Sequence, residues 1–468
     1  MTGSEGSPDE VRSHGQLLLG LVFAAGLAGF IYYEYRQRIP GSWLALGDLA
    51  FFAWTAAQLA LAHLHRDVRE DISQRCRPGR MRLLVALPVW KVEEPTFQRC
   101  LSSILNQTRL PQRLHVVSDC SPLTPHPQSG LPHDELRRIT DEWRPLAAMH
   151  GVELVYTRLP RNGGVRRAQA TAFRADSSAE IWCTLDPDTI LDSRCFEQAL
   201  LPFQRRQVTA VAALLLSLNH RHSLLTRLVD IGFVMAYTVG RTSQSVLKSV
   251  QVCSGALGFY RASALRPYLR HFVSQELGGM HLRNGNDMMM TTYALMSGSA
   301  VYQESAVGFT AQPETMRALT AQRLRWWRDW AWGIIWQVRH LPMTRAAWWL
   351  STEQVVEFFL WTAVWPIALI VLPVEGGFVP WPVAIYLTLM SYVRATRYLS
   401  IRRADQSRAD QLLSYLLAPL ACALTLYVGT LLQYWAVLTP LAGNRRDPYP
   451  SEPGGVISAP VSAAYCGP

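Results

Sequence analysis

The sequence predicts an α/β domain with a mainly parallel sheet, flanked by transmembrane helices, and three observations carry that prediction. Apolar runs long enough to cross a bilayer cluster at the two ends of the chain. Between them, short apolar segments alternate with segments of helical character, as in βαβ units. Polar turns bearing acidic side chains close several of those segments, which is where such sheets bind ligands.

The chain of 468 residues is too long for one small domain. Gly15–Tyr33, Gly376–Val393 and Gln411–Asn444 contain no acidic or basic side chain, and roughly 20 apolar residues suffice for a spanning helix. Two further candidates carry sparse charge: Ile39–Leu64, with Asp48, and Ala346–Val374, with Glu353 and Glu357. A single such run also fits a buried core helix, but the clustering at both ends favours membrane spans. Glu353 and Glu357 share one helix face, and intramembrane carboxylates usually face a pathway or a partner. The first run does not read as a cleavable signal, because Glu5, Asp9 and Glu10 precede it and Tyr32-Tyr33-Glu34-Tyr35 closes it. That aromatic cluster suits a membrane interface.

Arginine sets the orientation. Arg66, Arg69, Arg75, Arg77, Arg80 and Arg82 follow the second run, and Arg394, Arg397, Arg402, Arg403 and Arg408 follow Gly376–Val393. The positive-inside rule then makes the middle region cytoplasmic in a multi-pass protein of the cell membrane. A single crossing by Gln411–Asn444 leaves the C-terminus outside, whereas a break at Pro419 returns the tail inside. The net charge of +10, from 45 basic and 35 acidic residues, largely reflects this arginine bias and gives no reason to invoke nucleic acid. Cys76, Cys100, Cys120, Cys183, Cys195, Cys253, Cys422 and Cys466 form no CxxC pair or zinc spacing and read as reduced thiols. The expected division is a disordered tail (1–13), two transmembrane helices (14–65), a cytoplasmic catalytic domain (66–317), an interfacial amphipathic segment (318–342), three or four C-terminal spans (343–444) and a flexible tail (445–468).

Within the middle region, Leu83-Leu84-Val85-Ala86-Leu87 reads as a strand buried on both faces and closed by Pro88. Thr96–Gln107 is helical, Leu114–Val117 and Val152–Leu159 are strands, Arg166–Asp176 is a helix and Ile181–Leu185 a fourth strand. Trp90–Glu93, Ser118–Ser121 and Asp186–Asp188 then fall at strand ends.

Asp186-Pro187-Asp188 places two carboxylates one residue apart at such an end, where they can share a divalent cation with a diphosphate; a surface turn is the plainer explanation of an isolated instance. Asp119 can accept a hydrogen bond from a base such as uracil, or cap a turn. Asn162-Gly163-Gly164-Val165-Arg166-Arg167 is a glycine turn leading into two arginines, suited to phosphate or simply a solvated helix start. Asp287, after Gly285-Asn286, is placed to take a proton from an acceptor hydroxyl or to cap the helix Met288–Met296. Gln322–Arg328 begins a Trp-rich amphipathic stretch that can lie in the membrane interface while Arg325 and Trp326 face a pocket.

Gln169–Ala175 with Asp186–Asp192, Cys253–Arg261, Gln275–Gly279, and Gln322–Trp326 as QxxRW together resemble family 2 glycosyltransferases, most closely the hyaluronan synthase, chitin synthase and nodulation chitooligosaccharide synthase group. The resemblance covers about Arg82–Arg328 and, more loosely, the flanking runs. It implies a GT-A-type, Rossmann-like fold and an inverting transfer from a UDP-sugar, UDP-GlcNAc alone or with UDP-GlcA, to a growing β-linked polysaccharide that is exported across the lipid bilayer. It implies Mg²⁺ or Mn²⁺ held by Asp186 and Asp188, and Asp287 as the base. Pro88, Trp90, Glu93 and Asp119 would hold uridine, with Arg166, Arg167 and Arg325 near the diphosphate. Ser254, Gly255, Gln322 and Trp326 would line the acceptor site. The chain departs from the family in having Asn286-Asp287 for a common acidic pair, Ser118-Asp119 for another, Val165 for a common lysine and Arg323 for a frequent glutamine; a Trp-Gly-Thr-Arg ending is not recognisable in Leu441–Asp447. Two rival readings are a non-processive transferase adding one sugar to a lipid carrier and a non-catalytic, nucleotide-sensing membrane transporter. The sequence names no partner subunit.

Overall fold

The computed structural model describes residues 43–69, 80–120, 133–277, 280–366, 381–401, 403 and 405–439. The expectations for the two tails and for the run Gly15–Tyr33 lie outside these residues. In chain order the main elements are α1 (Trp43–Leu64), β1 (Leu83–Val89), α2 (Glu94–Leu105), β2 (Arg113–Ser118), α3 (His133–Met149), β3 (Glu153–Arg158), α4 (Val165–Arg174), β4 (Ile181–Leu185), β5 (Ile190–Leu191), α5 (Cys195–Leu200), β6 (Val208–Ser217), α6 (Leu224–Met235), β7 (Leu257–Arg261), α7 (Asn286–Ser297), β8 (Ser299–Thr310), α8 (Met316–His340), α9 (Ala346–Pro366), α10 (Trp381–Ala395), α11 (Arg408–Leu416) and α12 (Ala418–Leu438).

The eight strands form one sheet in the order β3-β2-β1-β4-β7-β6-β8-β5. Every residue of β1, β4 and β6 is buried, as their predominantly apolar sequences require of strands covered on both faces. The sheet is mixed but mainly parallel, as expected, with two of its eight strands reversed. β3, β2, β1 and β4 run parallel, and so do β6 and β8, but β7 lies antiparallel between β4 and β6, and β5 is antiparallel to β8. The reversal has a purpose in the site. Because β7 starts beside the end of β4, with Leu257 opposite Leu185, the turn preceding it sits against Asp186, whose N–H donates to Ala256 O at 3.2 Å.

β1 also continues through Pro88 to Val89 rather than closing at the proline. Pro88 pairs with Val117 of β2, beyond Ala86, the last β1 residue paired with β4. The missing N–H therefore removes no bond from the β1–β4 ladder.

The segment after α1 is tied to the sheet. β8 shifts register between Gln303 and Val307, and the Asp67 carboxylate accepts the exposed N–H groups of Glu304 (2.8 Å) and Ser305 (2.7 Å). Gln303 adds a reciprocal pair with Val68, both bonds at 3.0 Å. On the other side, α7 and α8 pack closely. A Cβ on Gly333 would lie 2.3 Å from Met288 Sδ, and Gln337 Nε2 donates to Thr292 Oγ1 at 3.0 Å.

The C-terminal helices join the domain through a buried ion pair. Asp230 of α6 accepts from Ser217 N (3.0 Å), Tyr398 Oη (2.9 Å) and Arg403 Nη1 (2.7 Å), and neither charged side chain is exposed. Arg403 also forks onto Asp405 at 3.0 and 2.7 Å. Removing one member leaves the other charged and dry, so Arg403→Leu is expected to cost about 3–5 kcal/mol, read as a lowered unfolding temperature in detergent.

Among the described residues one helix, Ala418–Leu438, is long and apolar enough to cross a membrane. The predicted run Gln411–Asn444 is divided at Leu417: α11 ends there, and α12 begins with Pro419 in its first turn, where a missing N–H costs nothing. The expected interfacial segment is one continuous helix, α8. α9 and α12 present bulky apolar side chains outward, with Trp349, Phe359, Trp435 and Leu438 each more than half exposed.

Candidate active site

Four chain segments meet at one end of the sheet around a cavity of about 330 Å³. The first is the turn after β1, where Pro88 and Trp90 line the wall beside Lys91 and Val92. Lys91 adopts φ +51°, a left-handed conformation that costs a non-glycine residue about 1 kcal/mol or more. Glu93 lies outside the cavity, exposed at the start of α2.

The second segment is Asp119 at the end of β2. Its carboxylate accepts N–H groups from Gly163 (2.8 Å) and Gly164 (2.9 Å), so it anchors the glycine turn and also faces the cavity. Gly164 is needed there: at φ +80°, a Cβ would lie 2.6 Å from Arg283 Cβ and 2.9 Å from its carbonyl oxygen, whereas a Cβ on Gly163 would displace the Arg167 side chain, 2.4 Å from its Cδ. Burial raises the Asp119 carboxyl, against the lowering effect of the two N–H donors, Arg283 and Arg167.

The glycine turn does not deliver Arg166 to the cavity. That side chain is buried and donates to Asn284 O (2.5 Å), Gln275 Oε1 (2.6 Å) and Gly285 O (3.2 Å), so it holds the segment before α7. Arg167 packs over Gly163, also away from the wall. Val165 alone of this segment lines the cavity.

The third element is Asp186-Pro187-Asp188 after β4, beside Ser254 and Gly255. Burial, then the charges of Asp188 and Asp287, push the Asp186 carboxyl up to about 7, with Arg325 opposing. Burial likewise raises Asp188. Two carboxylates crowded together without an ion-pair partner among the described residues suit a hard divalent cation. Magnesium-type ions are commonly held by one or two carboxylates with phosphate oxygens completing the shell.

The fourth wall is made by α7 and α8. Gly285, at φ +65°, turns the chain into α7, and Asp287 stands in its first turn. One carboxylate oxygen of Asp287 accepts from Met288 N at 2.8 Å; the other lies 3.4 Å from Gly255 N. Burial raises this carboxyl, which strengthens it as a proton acceptor. From α8, Arg325, Trp326 and Asp329 face the cavity. Trp326 is 39% exposed and carries Arg323 against its ring at 4.3 Å. Gln322 does not line the cavity; its buried Oε1 has no hydrogen-bond partner.

The structure thus brings Pro88, Trp90, Asp119, Asp186, Asp188, Ser254, Gly255, Asp287, Arg325 and Trp326 to one cavity and leaves Glu93, Arg166, Arg167 and Gln322 outside it. It adds Lys91 and Asp329. Asp329 is pushed up to about 7 by burial and by Asp287, against Arg166 and Arg325. Its position one helical turn beyond Arg325 was the available signal, since residues four apart share a helix face.

The profile described as "Glycosyltransferase like family 2" matches residues 78–328, the stretch that builds the sheet and the cavity. The hyaluronan synthase of Streptococcus pyogenes is 28% identical over 310 residues, 66% of this chain and 69% of that protein. An N-acetylglucosaminyltransferase of Mesorhizobium japonicum is 29% identical over 247 residues, 52% of this chain and 55% of that protein. Among solved structures, the mannosyltransferase PcManGT from Pyrobaculum calidifontis, in complex with GDP-Man and Mn²⁺, aligns with 93% of this chain and 100% of its own at a TM-score of 0.48 and 17% identity.

Proposed function

Because this chain belongs to the glycosyltransferase like family 2 and is a glycosyltransferase with a GT-A fold, we propose that it transfers sugar from a UDP-sugar to a growing β-linked polysaccharide and passes the product across the membrane. The observation that carries this reading is the placement of Asp287 on the same cavity as Asp186, Asp188 and Arg325. A proton acceptor and a diphosphate site must share one space for a single displacement.

In this reading the acceptor hydroxyl gives its proton to Asp287 as its oxygen bonds to the anomeric carbon, and the bond from that carbon to the diphosphate breaks. Arg325 offsets the charge that builds on the leaving nucleotide. Asp186 and Asp188 would hold Mg²⁺ or Mn²⁺, which supplies further compensation for that charge. Asp119 keeps the glycine turn closed beside the nucleotide, and Trp326 offers a ring on which a sugar can stack. The exposed apolar faces of α9 and α12 support a membrane setting, and the proposed multi-pass arrangement with a cytoplasmic catalytic domain rests on the apolar runs and arginine bias of the sequence.

The test is the purified full chain in lipid nanodiscs with Mg²⁺ or Mn²⁺ and UDP-sugars supplied singly and in pairs. UDP release with a high-mass product is expected. Product requiring both UDP-GlcNAc and UDP-GlcA identifies a hyaluronan-type polymer; UDP-GlcNAc alone identifies a GlcNAc polymer. A small, lipid-extractable product would replace this reading with single-sugar transfer to a carrier.

A further inference from the structure

We propose that Lys91, on the turn after β1, binds the pyrophosphate of the nucleotide donor together with Arg325. The cavity lining contains five aspartates, Asp119, Asp186, Asp188, Asp287 and Asp329, against two basic side chains, Lys91 and Arg325. The dianionic diphosphate of a nucleotide-sugar entering that field needs cations close to it; Arg166 is tied to the segment before α7, and Arg167 does not line the cavity. Lys91 is available. Its ammonium forms no hydrogen bond or ion pair with any described residue and lies 5.2 Å from the centre of the Trp90 ring.

The backbone strengthens the case. Lys91 holds φ +51° in the turn between β1 and α2, a conformation glycine or asparagine would adopt at lower cost. Strain of this kind persists where the surrounding structure enforces it, and it clusters at ligand clamps. The conformation keeps the lysine on the cavity wall, while the wall across the glycine turn presents uncharged Val165. The arrangement leaves the cation on the β1 turn rather than at the start of α4.

This inference rests on the donor-transfer reading, and calorimetry with the full chain separates the two. Lys91→Gly removes the cation and fits the observed φ; Lys91→Arg retains the charge. Wild-type protein should bind UDP, and Lys91→Gly should bind it about tenfold more weakly, with uridine affinity unchanged and Lys91→Arg near wild type. The unfolding temperature of Lys91→Gly should equal or exceed that of the wild type, because glycine relieves the strained turn. Failure of the wild type to bind UDP would sink the donor reading itself. Normal UDP binding by Lys91→Gly would overturn the assignment of Lys91 alone, and so would an equal loss for uridine, which would mark the turn rather than the charge.

Discussion

Asp287→Asn is expected to lower turnover by about a thousandfold while donor affinity stays within a few fold of wild type. The amide matches the carboxylate in shape, and its oxygen can still accept from Met288 N, so the first turn of α7 keeps its geometry. What disappears is the capacity to take a proton. The raised carboxyl of Asp287 makes it a better base than a free carboxylate, so its removal costs more than a charge. The measurement is UDP release under saturating donor, set beside UDP affinity of the same preparation. Turnover retained near a tenth of wild type would move the base elsewhere, and Asp329 would be the next residue to test.

Asp186→Ala is expected to separate stability from activity. Cation-dependent UDP binding should fall about a hundredfold, because the site loses one of the two carboxylates that can hold the ion. The nucleotide-free protein should meanwhile become more stable at pH 8, by roughly 1–3 kcal/mol. The sign follows from proton binding. With the folded-state value near 7 against an ordinary 3.8, the folded protein keeps a proton that the unfolded chain has released between those limits. Stability from this group is therefore lost as pH rises from about 4 through 7. Unfolding temperatures of wild type at pH 5.5 and 8 should show that decline, and Asp186→Ala should show a shallower one. Asp188 and Asp329, also raised, retain part of the slope. A variant that binds Mn²⁺ and UDP normally would remove Asp186 from the donor site.

Much of this was legible in the sequence because strands buried on both faces announce themselves as unbroken apolar runs. Ile181–Leu185 is observed with the predicted boundaries, and the acidic turn after it follows directly. Strand direction was not legible. Nothing in Leu257–Arg261 distinguishes a parallel from an antiparallel neighbour, since a fully covered strand looks apolar in either orientation. Side-chain direction was equally hidden at the start of α4, where one helical step separates Val165 on the wall from Arg166 turned into the protein. Asp119 showed why alternatives at a turn need not exclude each other, for its carboxylate both caps the glycine turn and borders the cavity. Lys91 lay within the polar turn Trp90–Glu93 marked in the sequence but was not singled out, because a backbone sign is not written in a residue's identity.

The fit of Gly333 against Met288, with the Gln337–Thr292 bond one turn further along, joins two helices that carry different tools. Asp287 and Arg325 ride on what is effectively one block, so the separation between them is set when the chain folds and does not vary with each cargo. Accommodation of sugars of different bulk then falls to the facing side, where the β1 and glycine turns hang from strand ends.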